Sequence, residues 1–204
     1  MTCQSQDLTI IQGATFEQIV RWETLPLIYK PITAITQAGP VQITATAHGC
    51  PDGWRAAVVS AGGMRQINAT HWPLTDVDFH KVTVNDSANI TFNDTNSGSY
   101  TAYTTGGSLV FYTPTTLTGF TAALTVVASQ GSSAALGTYT SGAPDNSIVI
   151  DTANFLSTIT LPSSVTQLLP TTWGTTSAWY YLEFTDGSGN VTQLLSGNIT
   201  VVGA

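Results

Sequence analysis

Short runs of alternating hydrophobic and polar residues recur along this chain, separated by turn residues. From Thr15 to Trp22, Phe16, Gln18, Val20 and Trp22 fall on one side of an extended segment, and Glu17, Ile19 and Arg21 on the other. A period of two with both charges on one face predicts a half-buried strand. Leu8 to Gly13 is a shorter strand before it, and Leu25-Pro26 is expected to end it, because proline cannot donate to a ladder. Further strands are expected at 32–36, 41–46, 54–60, 81–85, 89–92 and 108–112. Turn clusters such as His48-Gly49-Cys50-Pro51-Asp52-Gly53 and Gly62-Gly63 join them. Beyond Pro114 the apolar runs lengthen, at 120–127, 147–151, 155–161 and 179–184. Within the last of these, Trp179 and Tyr181 share a face and are expected in the core, with Tyr180 opposite. Asp186-Gly187-Ser188-Gly189-Asn190 reads as a hairpin loop before strands at 191–195 and 198–202. Only 163–169 reads as helical, with Ser163 or Ser164 as its cap and Pro170 as its stop. Many short strands with closely spaced turns predict an all-β sandwich or barrel.

Composition narrows the partners. Only 8% of the 204 residues are charged and 42% are hydrophobic, where about 25% charged is usual for a soluble domain. The polar surface must therefore come from Thr, Ser, Asn and Gln, and a surface of that kind loses little charge hydration when neighbours cover it. The net charge is −7, and all five basic residues (Arg21, Lys30, Arg55, Arg65 and Lys81) lie in the first 81 positions. Neutralising phosphates needs clustered Lys and Arg, so neither nucleic acid nor an anionic membrane surface is an expected partner. No apolar run is long enough for a membrane span, and the opening Met1-Thr2-Cys3-Gln4-Ser5-Gln6-Asp7 has no basic or apolar region of a secretory signal. Cys3 and Cys50 form no metal or disulfide framework and read as two reduced thiols of a protein made in the cytoplasm.

Two sets of motifs resemble known families. Asp7-Leu8-Thr9-Ile10-Ile11-Gln12-Gly13-Ala14-Thr15-Phe16, Thr116-Leu117-Thr118-Gly119-Phe120-Thr121-Ala122, Ile159-Thr160-Leu161 and Thr192-Gln193-Leu194-Leu195-Ser196-Gly197 form the first set. Together they resemble the immunoglobulin-like structural domains of phage tail and baseplate proteins, such as the N-terminal domain of the baseplate upper protein. Members of that family often carry a basic strand where this chain has Leu124-Thr125-Val126-Val127. The second set is Ile32 to Pro40, Ala47-His48-Gly49, Gly62-Gly63-Met64-Arg65-Gln66-Ile67-Asn68 and Tyr103-Thr104-Thr105-Gly106-Gly107. It is similar to a small β-barrel module named after the first catalytic cysteine half-domain of ubiquitin-activating enzymes, a name that carries no ubiquitin chemistry here. The two resemblances imply an immunoglobulin-like β-sandwich from 1–30 and 113–204, with a small β-barrel domain inserted at 31–112.

Candidate chemistry is sparse. His71, Asp76, Asp78 and His80 offer ligand types that suit zinc, but without a recognised spacing, and a solvated loop is the better reading. Gly-x-Ser-x-Gly is absent, and Glu17 and Glu183 read as outward strand carboxylates. No catalytic, cofactor or metal residue is therefore assigned. Trp54, Trp72, Trp173, Trp179 and Tyr180 are candidates for a sugar-stacking platform, although exposed loop aromatics more often mark a protein interface. The expectation is a non-enzymatic subunit of a bacteriophage virion, in the tail, baseplate or neck. It would attach a fibre or neighbouring ring and form a homo-oligomer within the particle. A capsid decoration protein and a carbohydrate-binding host-recognition module are the alternatives. Contacts are expected from exposed residues Trp54, Arg55, Met64, His71 and Trp72 of the barrel. They are also expected from Asn198, Thr200 and Val202, on a last strand free to pair edge to edge.

Overall fold

The structure, a computed structural model, describes residues 4–174 and 178–203. The first strands are β1 (Gln4–Ser5), β2 (Leu8–Ile11), β3 (Phe16–Arg21), β4 (Glu23–Pro31), β5 (Ala34–Ile35) and β6 (Val41–Thr44). They are followed by β7 (Arg55–Val59), β8 (His80–Val84), β9 (Asn89–Phe92), β10 (Ser108–Pro114) and β11 (Thr121–Val127). The last are β12 (Ala135–Thr140), β13 (Ile148–Asp151), β14 (Leu156–Leu161), β15 (Ala178–Thr185) and β16 (Val191–Val202), and a short α-helix, α1 (Ser163–Thr166), follows β14. The protein is all-β, as its alternation predicts.

The chain divides into two compact units: Met1–Trp22 with Thr116–Ala204, and Glu23–Thr115. The junctions therefore lie at 22/23 and 115/116 rather than at the expected 30/31 and 112/113. The difference has one cause. Residues 23–31 are not a connection but β4, which pairs antiparallel with β10. Pro26 does not stop this strand because β4 is the outer member of its sheet, and the register skips Leu25 and Pro26 between Tyr112 and Thr113. A proline on an edge strand at a bulge removes no ladder bond.

The first unit is a β-sandwich. One sheet runs β1-β16-β15-β11-β12, with β2 also on β16, and the other runs β13-β14-β3. Both contribute to one core: Val20, Ile148, Ile159 and Leu161 from the smaller sheet, with Trp22 just after β3, meet Leu124, Tyr180, Leu182, Phe184, Ile199 and Val201 from the larger. Trp22 packs edge-on against Phe120 with ring centroids 5.5 Å apart, a favoured aromatic arrangement. Burial alternates strictly along β15, but Ala178, Tyr180, Leu182 and Phe184 are the buried set. Tyr180 is thus core and Trp179 and Tyr181 are half-buried, the reverse of the expected phase. Three successive aromatics hide the phase, and Leu182 and Phe184 decide it. The buried Tyr180 hydroxyl donates to the Gln6 carbonyl at 2.7 Å. That carbonyl lies so close to Gly197 that a Cβ there would sit 2.1 Å from it, so only glycine fits. The expected break between 191–195 and 198–202 is this passage, and β16 runs through it unbroken.

The second unit is a seven-stranded sheet in the order β4-β10-β7-β8-β9-β6-β5. Its first and last members are consecutive in sequence. Ile32 N–H donates to the Gly107 carbonyl and Thr33 N–H to the Thr44 carbonyl, so the segment between β4 and β5 bridges both ends and curls the sheet into a small barrel. Val41, Ile43, Trp54, Val58, Met64, Val82, Ile90, Phe92, Leu109 and Phe111 are fully buried within this unit. Gly107, at φ +85°, lets this closure happen: a Cβ there would meet the Ala61 Cα at 2.8 Å. The α1 helix begins after Pro162, with no side-chain cap from either serine. Cys3 lies outside the described residues, as does the side chain of Trp173. Cys50 is a buried free thiol, and burial together with the neighbouring Asp52 carboxylate pushes it up to about 12.

Candidate functional site

The expected contact residues of the barrel separate into two groups. Trp54 and Met64 are fully buried and cannot be surface contacts. Both flank turns, where no periodicity marks the inward face. Among the described residues nothing hydrogen-bonds the Trp54 Nε1, so this indole serves as a large apolar filler.

Arg55 is half-buried, and its surroundings account for it structurally. Its Nε donates to Glu23 Oε1 at 2.7 Å and Oε2 at 3.0 Å, its Nη2 donates to Oε2, and its Nη1 donates to Asp76 Oδ1 at 3.0 Å. The guanidinium also lies over the rings of Phe79 and Tyr112, 5.4 and 5.7 Å from their centroids. A planar fork held by a carboxylate on its edge and aromatics on its faces is pinned in place. It ties the start of β7 to the start of β4 within the inserted unit.

His71 and Trp72 are exposed, and they come together. Trp72 is 77% exposed and Tyr29, on β4, is 46% exposed. Both line a cleft of about 530 Å³ that also takes in Ser60, Thr70, His71 and Ser108. Its floor is where β4, β10 and β7 lie side by side: Ser108 is opposite both Pro31 and Val59. Its wall is the segment from Ala69 to Trp72, anchored by the Ala69 N–H on the Val58 carbonyl at 2.7 Å.

Asp78 fixes that wall. Its carboxylate accepts from the backbone N–H groups of Thr70, His71 and Thr75, from the Thr75 hydroxyl, and from His71 Nδ1 at 3.0 Å. Burial alone would raise this carboxyl, but the donors from Thr75, His71 and Thr70 outweigh it and hold it well below the usual carboxylate range. An ionised Asp78 takes a proton-bearing Nδ1, so the His71 imidazole is oriented with Nε2 directed away from it. Among the described residues nothing hydrogen-bonds that Nε2. Ser60, on the rim, has φ +59°, a left-handed conformation that costs a non-glycine residue free energy and is seen most where function requires it.

The residues considered as a metal set are held in three different pairings. His71 is bound to Asp78, Asp76 to Arg55, and His80 to Asp94 at 2.8 Å with its ring stacked on Phe92. Among the described residues no three His, Cys, Asp or Glu side chains gather in one place. His48 is a buried structural residue: Nδ1 accepts from the Cys50 N–H at 3.0 Å, and Nε2 lies 2.9 Å from the Asp86 carbonyl.

The last strand is not an edge. β16 pairs antiparallel with β15 on one side and parallel with β1 and β2 on the other. Asn198 and Thr200 are half-buried, and Asn198 is bound through its N–H and side-chain amide to Asp7. Edge pairing through these residues is therefore ruled out, because β2, four residues long, already occupies that side. Val202 is exposed and opposite Ile11, which is exposed as well. Gln12, the next residue, donates to the carbonyls of Gln167 and Leu169, which sets the exposed Leu168 close by. Val202 was an expected contact, but its partners Ile11 and Leu168 had no sequence signal, because the register of β2 on β16 joins residues from opposite ends of the chain.

No known protein family matches the chain, and no curated protein matches it in sequence. Among the described residues no helix is long and apolar enough to cross a membrane.

Proposed function

We propose that the chain is a non-enzymatic structural subunit of a bacteriophage virion, in the tail, baseplate or neck, holding a fibre or neighbouring ring by protein–protein contact. The observation that supports this reading best is the set of exposed apolar residues Ile11 and Val202, on paired strands, with Leu168, in a chain of which only 8% is charged. Exposed apolar residues grouped on one part of the surface are what a subunit presents to neighbours, and few charges need desolvating when they meet. Two β-units, one spliced into the other by sequence, also suit a part that contacts more than one partner. Several symmetry-related copies within the particle are expected.

Quantitative mass spectrometry of purified particles tests the reading, with copy number expressed relative to the portal ring. A small multiple of the portal count is the expected result. A count close to that of the major capsid protein would make the chain a decoration subunit instead. Absence from the particle would overturn the structural reading altogether.

A further inference from the structure

The cleft between Tyr29 and Trp72 is unrelated to the apolar patch, lies in the other unit, and has a distinct chemistry. We propose that it is a saccharide-binding site that takes a neutral mono- or disaccharide unit of a glycan, with Trp72 and Tyr29 as stacking faces and Ser60, Ser108 and His71 as hydroxyl partners.

Each feature of the cleft points to a ligand of this class. A sugar ring presents an apolar C–H face together with equatorial and axial hydroxyls. Recognition therefore needs an aromatic surface beside short donors and acceptors. Trp72 is among the most exposed large apolar side chains of the protein and opens onto a concave site rather than lying flat on the surface. The Ser60 and Ser108 hydroxyls hydrogen-bond to no described residue, so each can both donate and accept. His71 is half-exposed, and Asp78 holds its Nδ1 so that Nε2 faces outward as a hydrogen-bond partner for a ligand hydroxyl. No Lys or Arg lines the cleft, which disfavours phosphate, sulfate and carboxylate ligands and leaves a neutral polyol as the fitting class. The volume lies within the range of about 300–1,000 Å³ usual for small-ligand sites. The wall is preorganised: Asp78 accepts from the backbone N–H groups of Thr70, His71 and Thr75, on both sides of Trp72, so little ordering cost remains for binding.

This assignment does not depend on the virion reading, since a subunit of any assembly can carry a glycan site. The test is isothermal titration of the full chain with glucose, galactose, mannose, rhamnose, N-acetylglucosamine and N-acetylgalactosamine, and with lactose and maltose. Saturable binding of at least one, with a millimolar or tighter Kd, is the expected result. Trp72→Ala and His71→Ala should each weaken it by about tenfold or more, as the loss of one stacking face or one oriented hydrogen bond implies. Val77→Ala, an exposed apolar residue outside the cleft, should leave it unchanged. Thermal melts show whether each variant is folded, and His71→Gln gives a second variant should His71→Ala unfold. No saturable binding to any of these sugars overturns the proposal. So does affinity that survives both Trp72→Ala and the folded His71 variant.

Discussion

Replacing Arg55 by methionine tests the account of the inserted unit, because it removes the fork and the charge but keeps a stem of similar length. Glu23 is then left as a carboxylate only 12% exposed, with its guanidinium partner gone. A hydrogen bond to a charged group contributes about 1.5–3 kcal/mol, and breaking a buried pair from one side costs about 3–5 kcal/mol. The Arg55 side chain is 24% exposed, so solvent screens part of this and the upper figure does not apply. The contact with Asp76 adds little, because that carboxylate is 70% exposed. A loss of about 2–4 kcal/mol is expected, equivalent to a fall of about 10–20 °C in the Tm of a unit this size. Glu23→Gln should cost about 1–2 kcal/mol alone but almost nothing in the Arg55→Met background, giving a coupling of at least about 1 kcal/mol. Urea unfolding followed by hydrogen exchange, peptide by peptide over β4, β7 and β10, reads this unit separately from the sandwich. Additivity of the two substitutions within about 0.5 kcal/mol would refute the claim that the pair clamps β4 to β7.

Three further outcomes are expected. Cys50 should resist iodoacetamide at pH 8 in the folded protein and react once unfolded, because burial pushes its thiol up to about 12; fast native labelling mapped to Cys50 would contradict its placement. Asp186, Asp86 and Asp151 are held below the usual range chiefly by Asn190, Asn89 and Asn154 respectively, and Asp78 by the donors described above. Their folded pKa values lie below the unfolded value of about 3.9, so the stability they contribute is complete above that value and is lost as pH falls through the folded ones. Melting should therefore hold to about pH 5 and decline below about pH 4, and a Tm that rises on acidification through that window would refute the sign. Gly197→Ala forces a methyl group against the Gln6 carbonyl and should cost about 1–3 kcal/mol; faster exchange confined to β1, β2 and β16 is the expected signature, and an unchanged Tm would show the approach to be looser.

Much of the fold was legible in the sequence. The alternation from Phe16 to Trp22 is seen in β3 and its neighbour Trp22, and the Asp186 to Asn190 loop joins β15 to β16 as its turn residues require. What stayed hidden depended on neighbours that local pattern does not encode. β4 was missed because Pro26 reads as a breaker until its edge position is known. β12 was missed because Ala135, Leu136 and Thr138 are exposed and carry little apolar alternation. Of the candidate contacts, His71 and Trp72 are at the surface and share a cleft, whereas Trp54 and Met64 fill the barrel. Their aromatic or apolar character was readable, but their direction was set by barrel closure. Tyr29 and Ser60 had no sequence signal, since pairing of β4 and β7 with β10 brings them to the same place.

Electron cryomicroscopy of the intact particle tests the central claim most directly. The account expects density for both units at a symmetric position in the tail, baseplate or neck, with Ile11, Leu168 and Val202 covered by a neighbouring chain. A particle whose ordered density is fully assigned to other proteins, or a bound chain with that patch facing solvent, would contradict it.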